Sequence, residues 1–155
     1  MRRDSSWTSR AVSAEEAVSR IESGVKVFIH GAAATPTSLF DAMCRRRELE
    51  GVTLHHLHTS GPCRFAVPEN EGRFLSVSLF TGPPLRKAIE EGRADFMPIF
   101  LSDIPPLFTA GRLQLSPPDR HGFCTLGTSV DTARAAADSA RLLVAEINEQ
   151  MRDPP

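Results

Sequence analysis

The sequence of 155 residues predicts an α/β fold, an open and mainly parallel sheet with helices on both faces. Three observations predict it. Apolar runs of strand length alternate along the chain with segments of helical character. The segments between strands are long enough to be crossovers, which parallel pairing requires. Each strand also ends in a cluster of small or turn-forming residues, the position at which open α/β sheets bind ligands.

The elements follow in order. Ser13 and Glu16 form an S-x-x-E capping box, with Ala17, Val18 and Ile21 on one face behind it and Gly24 as the stop. Residues 25–30 (VKVFIH) read as a buried strand, and residues 31–35 (GAAAT) as a tight turn into a helix beginning at Pro36. That helix turns Leu39, Phe40 and Met43 inward and ends near Arg47, before Gly51. Arg45, Arg46 and Arg47 read as its solvated end, where cations complement the dipole and the last carbonyls. A second strand, residues 52–58 (VTLHHLH), runs into a turn-rich loop, and residues 74–80 (FLSVSLF) form a third strand. Thr81, Gly82, Pro83 and Pro84 start the helix RKAIEEG, for which Gly92 supplies the C′ residue. Residues 95–102 are a fourth strand, pushed by Pro98 to an edge or a bulge. A short helix is expected over residues 102–109. After it the pattern weakens, because Leu113 to Leu115 is the only apolar patch before SPPDRHG. Residues 131–141 are strongly helical, and residues 142–148 form a closing strand. Residues 1–12 read as a flexible terminus, 13–150 as one domain and 151–155 as a tail.

Composition narrows the function classes. The chain is 41% hydrophobic and 24% charged, which fits a globular domain rather than a disordered chain. A net charge of −1, from 18 basic and 19 acidic residues, gives no general attraction to nucleic acid or anionic lipid. No apolar run approaches the roughly 20 residues of a bilayer span. Cys44, Cys63 and Cys124 are odd in number and share no C-x-x-C spacing, so a reducing compartment is expected. The expected location is intracellular, mitochondrial in a eukaryote and cytoplasmic otherwise.

Several residues could carry chemistry. The turn HGAAATPTSL can present backbone N–H groups to a carboxylate or phosphate, or be a plain turn into a helix. It has neither the G-K-[ST] of a Walker loop nor a G-x-G-x-x-G spacing. Strand alternation puts His56 and His58 on one face and His55 on the other, so the three cannot converge on a metal. Cys124 with His121, and Cys63 beside Arg64, are weak candidates for a nucleophile, because spacing alone does not lower a thiol pKa. Glu69, Glu71, Asp103 and Asp119 lie in loops where solvated or capping roles are the rule.

Four separated motifs, FIHGAAATPTSL, LHHLHTSG, EGRADFMPIFLSDIP and SPPDRHGFCTLGTSVD, resemble in order the N-terminal domain of the acetyl-CoA hydrolase/transferase family, which includes acetate and 4-hydroxybutyrate CoA-transferases. The resemblance implies a sheet similar to the ribose-phosphate isomerase and CoA-transferase fold, in a protein of two related domains. It implies transfer of CoA from an acyl-CoA to a carboxylic acid or to water through a glutamyl-CoA thioester, in acetate and short-chain acyl-CoA metabolism. The glutamate is expected in a C-terminal domain, so no catalytic residue is assigned here and the chain alone is expected to be inactive. What the resemblance assigns to this half is the acyl or carboxylate pocket. Thr59, Ser60 and Thr81 are its hydroxyl donors, and Gly31, Ala32, Ala33 and Gly82 its wall.

No metal and no cofactor beyond the coenzyme A thioester substrate is implied. The expected partners are acyl-CoA and a short carboxylic acid once a C-terminal domain completes the site, in a homo- or hetero-oligomer, with no nucleic acid and no membrane. Two departures from the family pattern stand out. AGRLQ replaces a hydrophobic strand, so one strand is expected to be shortened or missing, and the sequence ends after EINEQMRDPP. A non-catalytic module docking on a full-length relative, or an unstable truncated product, are the alternative readings.

Overall fold

The computed structural model describes residues 6–104, 111–115 and 132–147. Six strands form one sheet: β1 (Lys26–Ile29), β2 (Val52–His56), β3 (Phe74–Ser78), β4 (Ala94–Phe96), β5 (Gly111–Leu115) and β6 (Leu143–Ile147). Their order is β4-β3-β2-β1-β5-β6, and all pairings are parallel. The chain therefore winds outward from β1 to one edge and returns to lay β5 and β6 on the other side of β1. Connections leave β1 and β5 in opposite directions, which makes the carboxyl ends of these two strands a topological switch point.

Alternation along each strand divides the core between two faces. Val27 and Ile29 of β1 pack with Val52 and Leu54 of β2 and with Leu39, Phe40 and Met43 of helix α2 (Thr37–Arg45). The same cluster takes in Val18 of α1 (Ala14–Val18) and Ala88 of α3 (Arg86–Glu90). Phe28, between Val27 and Ile29, points the other way, to Leu57, Leu79, Ile104 and Ala136 of α4 (Ala133–Ser139). Helices thus lie on both faces, as the alternating pattern predicts.

The strand expected to be shortened or missing is present over five residues, Gly111–Leu115. Among the described residues its seam with β1 holds the register pairs Phe28↔Gly111 and Ile29↔Arg112. On its other side β5 pairs with β6 along its whole length, from Gly111↔Leu143 to Leu115↔Ile147.

Local signals explain most boundaries. Ser13 caps α1, its Oγ accepting from the Glu16 N–H at 3.1 Å. The helix ends at Val18 rather than near Gly24, because Arg46 takes the carbonyls of both Val18 and Ile21, each at 2.6 Å. Arg46 is accordingly no solvated helix end, and only Arg45 and Arg47 of that triplet are exposed. Gly92 follows α3 with φ 75°, the left-handed C′ position expected of it. β4 is the edge strand that Pro98 foretold, although it ends at Phe96, before the proline. The short helix expected over 102–109 is described only to Ile104, where a single 3-10 turn spans Leu101–Asp103. The loop SPPDRHG, with His121 and Cys124, lies outside the described residues.

Candidate functional site

At the carboxyl ends of β1, β2 and β3 the chain makes three close-set turns that meet at His58. The chain leaves β1 through the buried His30 and reaches Gly31, whose position beside β2 leaves no room for a side chain. A Cβ at Gly31 would lie 2.6 Å from the His58 carbonyl oxygen. The next N–H, of Ala32, donates to that same oxygen at 2.7 Å. To do so Ala32 adopts φ 51°, a left-handed conformation that costs an alanine roughly 1–2 kcal/mol. Ala32–Ala34 form one 3-10 turn before Pro36 opens α2.

Thr35 ties this turn to the one after β2. Its hydroxyl donates to the Ala32 carbonyl at 2.8 Å and accepts from the Ser60 N–H at 3.0 Å. Ser60 is exposed, whereas Thr59 is buried and its hydroxyl lies 3.2 Å from Cys63 Sγ. Burial pushes the Cys63 thiol up from its ordinary value, with the Thr59 hydrogen bond opposing. A buried thiol held in its protonated form is no nucleophile. Cys63 also has a left-handed backbone, φ 43° and ψ 49°, so non-glycine residues in that region occur in both turns.

The turn after β3 comes in from the other side of His58. Gly82 packs so that a Cβ there would sit 3.5 Å from His58 Cβ and 3.7 Å from the Thr59 carbonyl oxygen. Thr81 is half-buried, and its hydroxyl donates to Ser78 Oγ at 3.2 Å. Phe80, exposed, sets its ring edge-on to His58 with centroids 5.6 Å apart.

All of the residues expected to line a pocket therefore lie in these turns. Gly31, Ala32 and Gly82 contact His58 directly, and Ser60 is tied to Ala32 through Thr35. Thr59 and Thr81 have internal partners in Cys63 and Ser78, so their hydroxyls are already oriented. Ala33 is exposed on the 3-10 turn. Ser102 and Asp103, at the end of the next connection, are exposed and bonded to one another at 3.2 Å. Sequence reading did not single out His58 or Thr35 as the residues that join the turns. The one available signal was that both stand at the end of a strand-turn unit with a hydroxyl or imidazole among small neighbours.

The histidines of β2 are structural or peripheral. His56 is fully buried; its Nδ1–H donates to the Leu57 carbonyl at 2.7 Å, and its Nε2 accepts from the Ser76 hydroxyl at 2.8 Å. Burial takes its pKa down to about 4, so the ring is neutral. His55, on the opposite face, is also shifted down by burial and by nearby Lys26. Among the described residues no three His, Cys, Asp or Glu side chains group as a metal site requires. Also among these residues, no helix is long and apolar enough to cross a membrane.

Comparison with known proteins follows the same lines. The sequence profile of the acetyl-CoA hydrolase/transferase N-terminal domain matches residues 1–154. The chain is 45% identical over 155 residues to a succinyl-CoA:acetate/propanoyl-CoA:succinate CoA transferase of Fasciola hepatica, covering 94% of this chain and 31% of that protein. It is 33% identical over 153 residues to the 4-hydroxybutyrate coenzyme A transferase of Clostridium kluyveri, covering 94% and 36%. Among solved structures, RipA from Yersinia pestis superposes with a TM-score of 0.83 at 25% identity, over 90% of this chain and 37% of that one. A 4-hydroxybutyrate CoA-transferase from Porphyromonas gingivalis gives 0.70 at 28% identity, over 94% and 36%. The chain spans about one third of the length of the curated relatives it matches.

Proposed function

The chain belongs to the acetyl-CoA hydrolase/transferase family, matching its N-terminal domain, and from that premise we propose that it furnishes the acyl or carboxylate pocket of a CoA-transferase or acetyl-CoA hydrolase. The observation that carries this reading is the convergence of the turns after β1, β2 and β3 on His58, which brings the turns bearing Thr59, Ser60 and Thr81 against those bearing Gly31, Ala32 and Gly82.

The chemistry gives such a pocket a purpose. When an enzyme carboxylate takes CoA from an acyl-CoA, the products are a glutamyl-CoA thioester and the free carboxylate of the former acyl group. That carboxylate must be held beside the thioester until it leaves or another replaces it. Neutral donors suit the task, since hydroxyl and backbone N–H groups bind a carboxylate without placing a cation against the nucleophilic glutamate. The Ala32 N–H is spent on His58 and the Ser60 N–H on Thr35, so these bonds fix the turns that carry Ser60 and its neighbours before any ligand arrives. The glutamate itself is assigned to a C-terminal domain, and completion of the site by that domain, in an oligomer, is part of the proposal.

The test is direct. The purified chain, with acetyl-CoA and a short carboxylic acid and no other protein, should show no CoA transfer or hydrolysis. Adding the C-terminal domain of a close relative should restore transfer, and Ser60→Ala with Thr81→Val should then raise the KM for the carboxylate about tenfold, the loss of one or two neutral hydrogen bonds. Turnover by the chain alone would sink the assignment of the nucleophile elsewhere.

A further inference from the structure

We propose that the outer edge of β6 is a homodimer interface, to which β6 of a second copy of the chain adds as an antiparallel strand across a two-fold axis at Ala145. The two rims of the sheet are unlike. β4 closes one side with three residues, and Pro98 stands close behind it. β6 closes the other with five residues, Leu143–Ile147, none of them proline. Among the described residues its one strand neighbour is β5, and the outward N–H and C=O groups of such an edge are a template for another strand. A groove of about 450 Å³ is lined by Ala145, Glu146 and Ile147 together with Val12, Ala14 and Ala17. Val12 is 53% exposed and Leu143 47%, so apolar surface flanks the edge.

What selects a second copy as the occupant is the complementarity of the strand to itself. Residues opposite one another in a ladder share a face, and faces alternate along a strand, so a two-fold axis between antiparallel copies passes through a residue. Val144 packs in the cluster of α1 and α2, and Glu146 meets Ser38 of α2 at 3.3 Å, so these two share one face. Leu143, Ala145 and Ile147 take the other. With the axis at Ala145, the midpoint of the strand, all five residues pair. Leu143 comes opposite Ile147, which covers its exposed side chain. Val144 comes opposite Glu146 and brings an apolar side chain to the groove. An axis at Glu146 would instead set two carboxylates against one another, and one at Val144 would set Leu142 against Glu146 and Ile147 against Arg141. The pattern of charge and apolar residues thus favours one register.

Sedimentation equilibrium of the whole chain tests this. A five-residue seam is small, so a reversible dimer with a Kd on the order of 10–100 μM is expected, visible between about 5 μM and about 1 mM. On the axis residue 145 stands opposite itself, at about 5 Å. Ala145→Glu and Ala145→Lys should therefore each weaken the dimer about tenfold or more, and an equimolar mixture of the two should dimerise as the unaltered chain does. Recovery on mixing is peculiar to a residue on a two-fold axis. Leu143→Asp, at a side chain already 47% exposed, leaves the core intact and should weaken the dimer by a similar factor. If either variant at 145 fails to unfold cooperatively, Leu143→Asp decides alone. A monomer throughout the range, a dimer indifferent to Leu143→Asp, or folded Glu and Lys variants at 145 that stay monomeric when mixed overturns the proposal.

Discussion

His56 and Gly31 show how single residues set this structure. His56 is a buried imidazole hydrogen-bonded at both nitrogens, and burial, which disfavours the charged ring, holds its pKa at about 4 against an ordinary 6.5. The unfolded chain therefore binds the extra proton first. The stability contributed by the neutral ring is complete above pH 6.5 and is lost as pH falls from there to about 4, a change on the order of 3 kcal/mol. Urea unfolding at pH 7 and at pH 4.5 should show this loss, and His56→Gln should show a smaller one. An equal pH dependence in the two proteins would place the effect elsewhere. Gly31 acts by absence. Gly31→Ala would drive a methyl to 2.6 Å from the His58 carbonyl, so the β1 turn must move off β2. A loss of about 1–3 kcal/mol in the same unfolding assay is expected, with shifts of the Ala32 and Ser60 amides, since overpacking against backbone is not relieved by a rotamer change.

At the scale of elements, arginines close helix ends and loops that capping side chains leave open. Arg73, at the head of β3, donates to the carbonyls of Arg46 at 2.6 Å and Cys44 at 3.2 Å, to Leu49 at 3.4 Å and to the Asn70 side chain. It thereby finishes α2, whose last carbonyls have no following glycine to turn back on them. Arg73→Ala should cost about 2–4 kcal/mol by chemical denaturation, and Arg73→Lys should recover only part, because an ammonium lacks the planar fork. A loss below about 0.5 kcal/mol would mean that water replaces these bonds. β1 was legible because Val27, Phe28 and Ile29 form a continuous apolar run, as burial on both faces demands, and β2 and β3 because apolar residues recur at short spacing within them. β5 was not, since GRLQL offers just two leucines, and the element is specified by backbone pairing to β1 and β6. β2 was read two residues too long because Leu57 and His58 keep strand character while their carbonyls and neighbours turn to other loops, as the Ala32 bond to His58 shows. The loop after β2 read as turn-rich and nothing more, yet Phe65 in it is buried and stacks on Phe40 at 4.9 Å. The residues proposed for the pocket were visible as small and hydroxylic residues after strands. Their meeting at His58 was not, because it depends on strand order.

The whole molecule is two ladders joined at one seam. β1 to β4 pair in sequence order through four- or five-residue registers on the inner strands, while β5 and β6 share a five-residue register and meet β1 at two positions. Among the described residues two register pairs cross that seam against five between β5 and β6, and on that ground the β5–β6 unit is expected to open as a block at lower free energy than the β1–β3 unit. Native-state hydrogen exchange at increasing denaturant would show it as two groups of amides, residues 111–115 with 143–147 and residues 26–29 with 52–56 and 74–78. A single exchange free energy for all of these strands would show that the helices on the two faces weld the sheet into one unit. The rim formed by β4 bears on something else. Three residues of ladder end at Met97, whose N–H reaches the Ser78 carbonyl at 2.9 Å, and the next residue, Pro98, has no N–H to offer. An unfolded or neighbouring chain arriving there finds too short a template to copy, so the rim resists fibre growth by strand addition while Phe96 and Met97 remain exposed beside it.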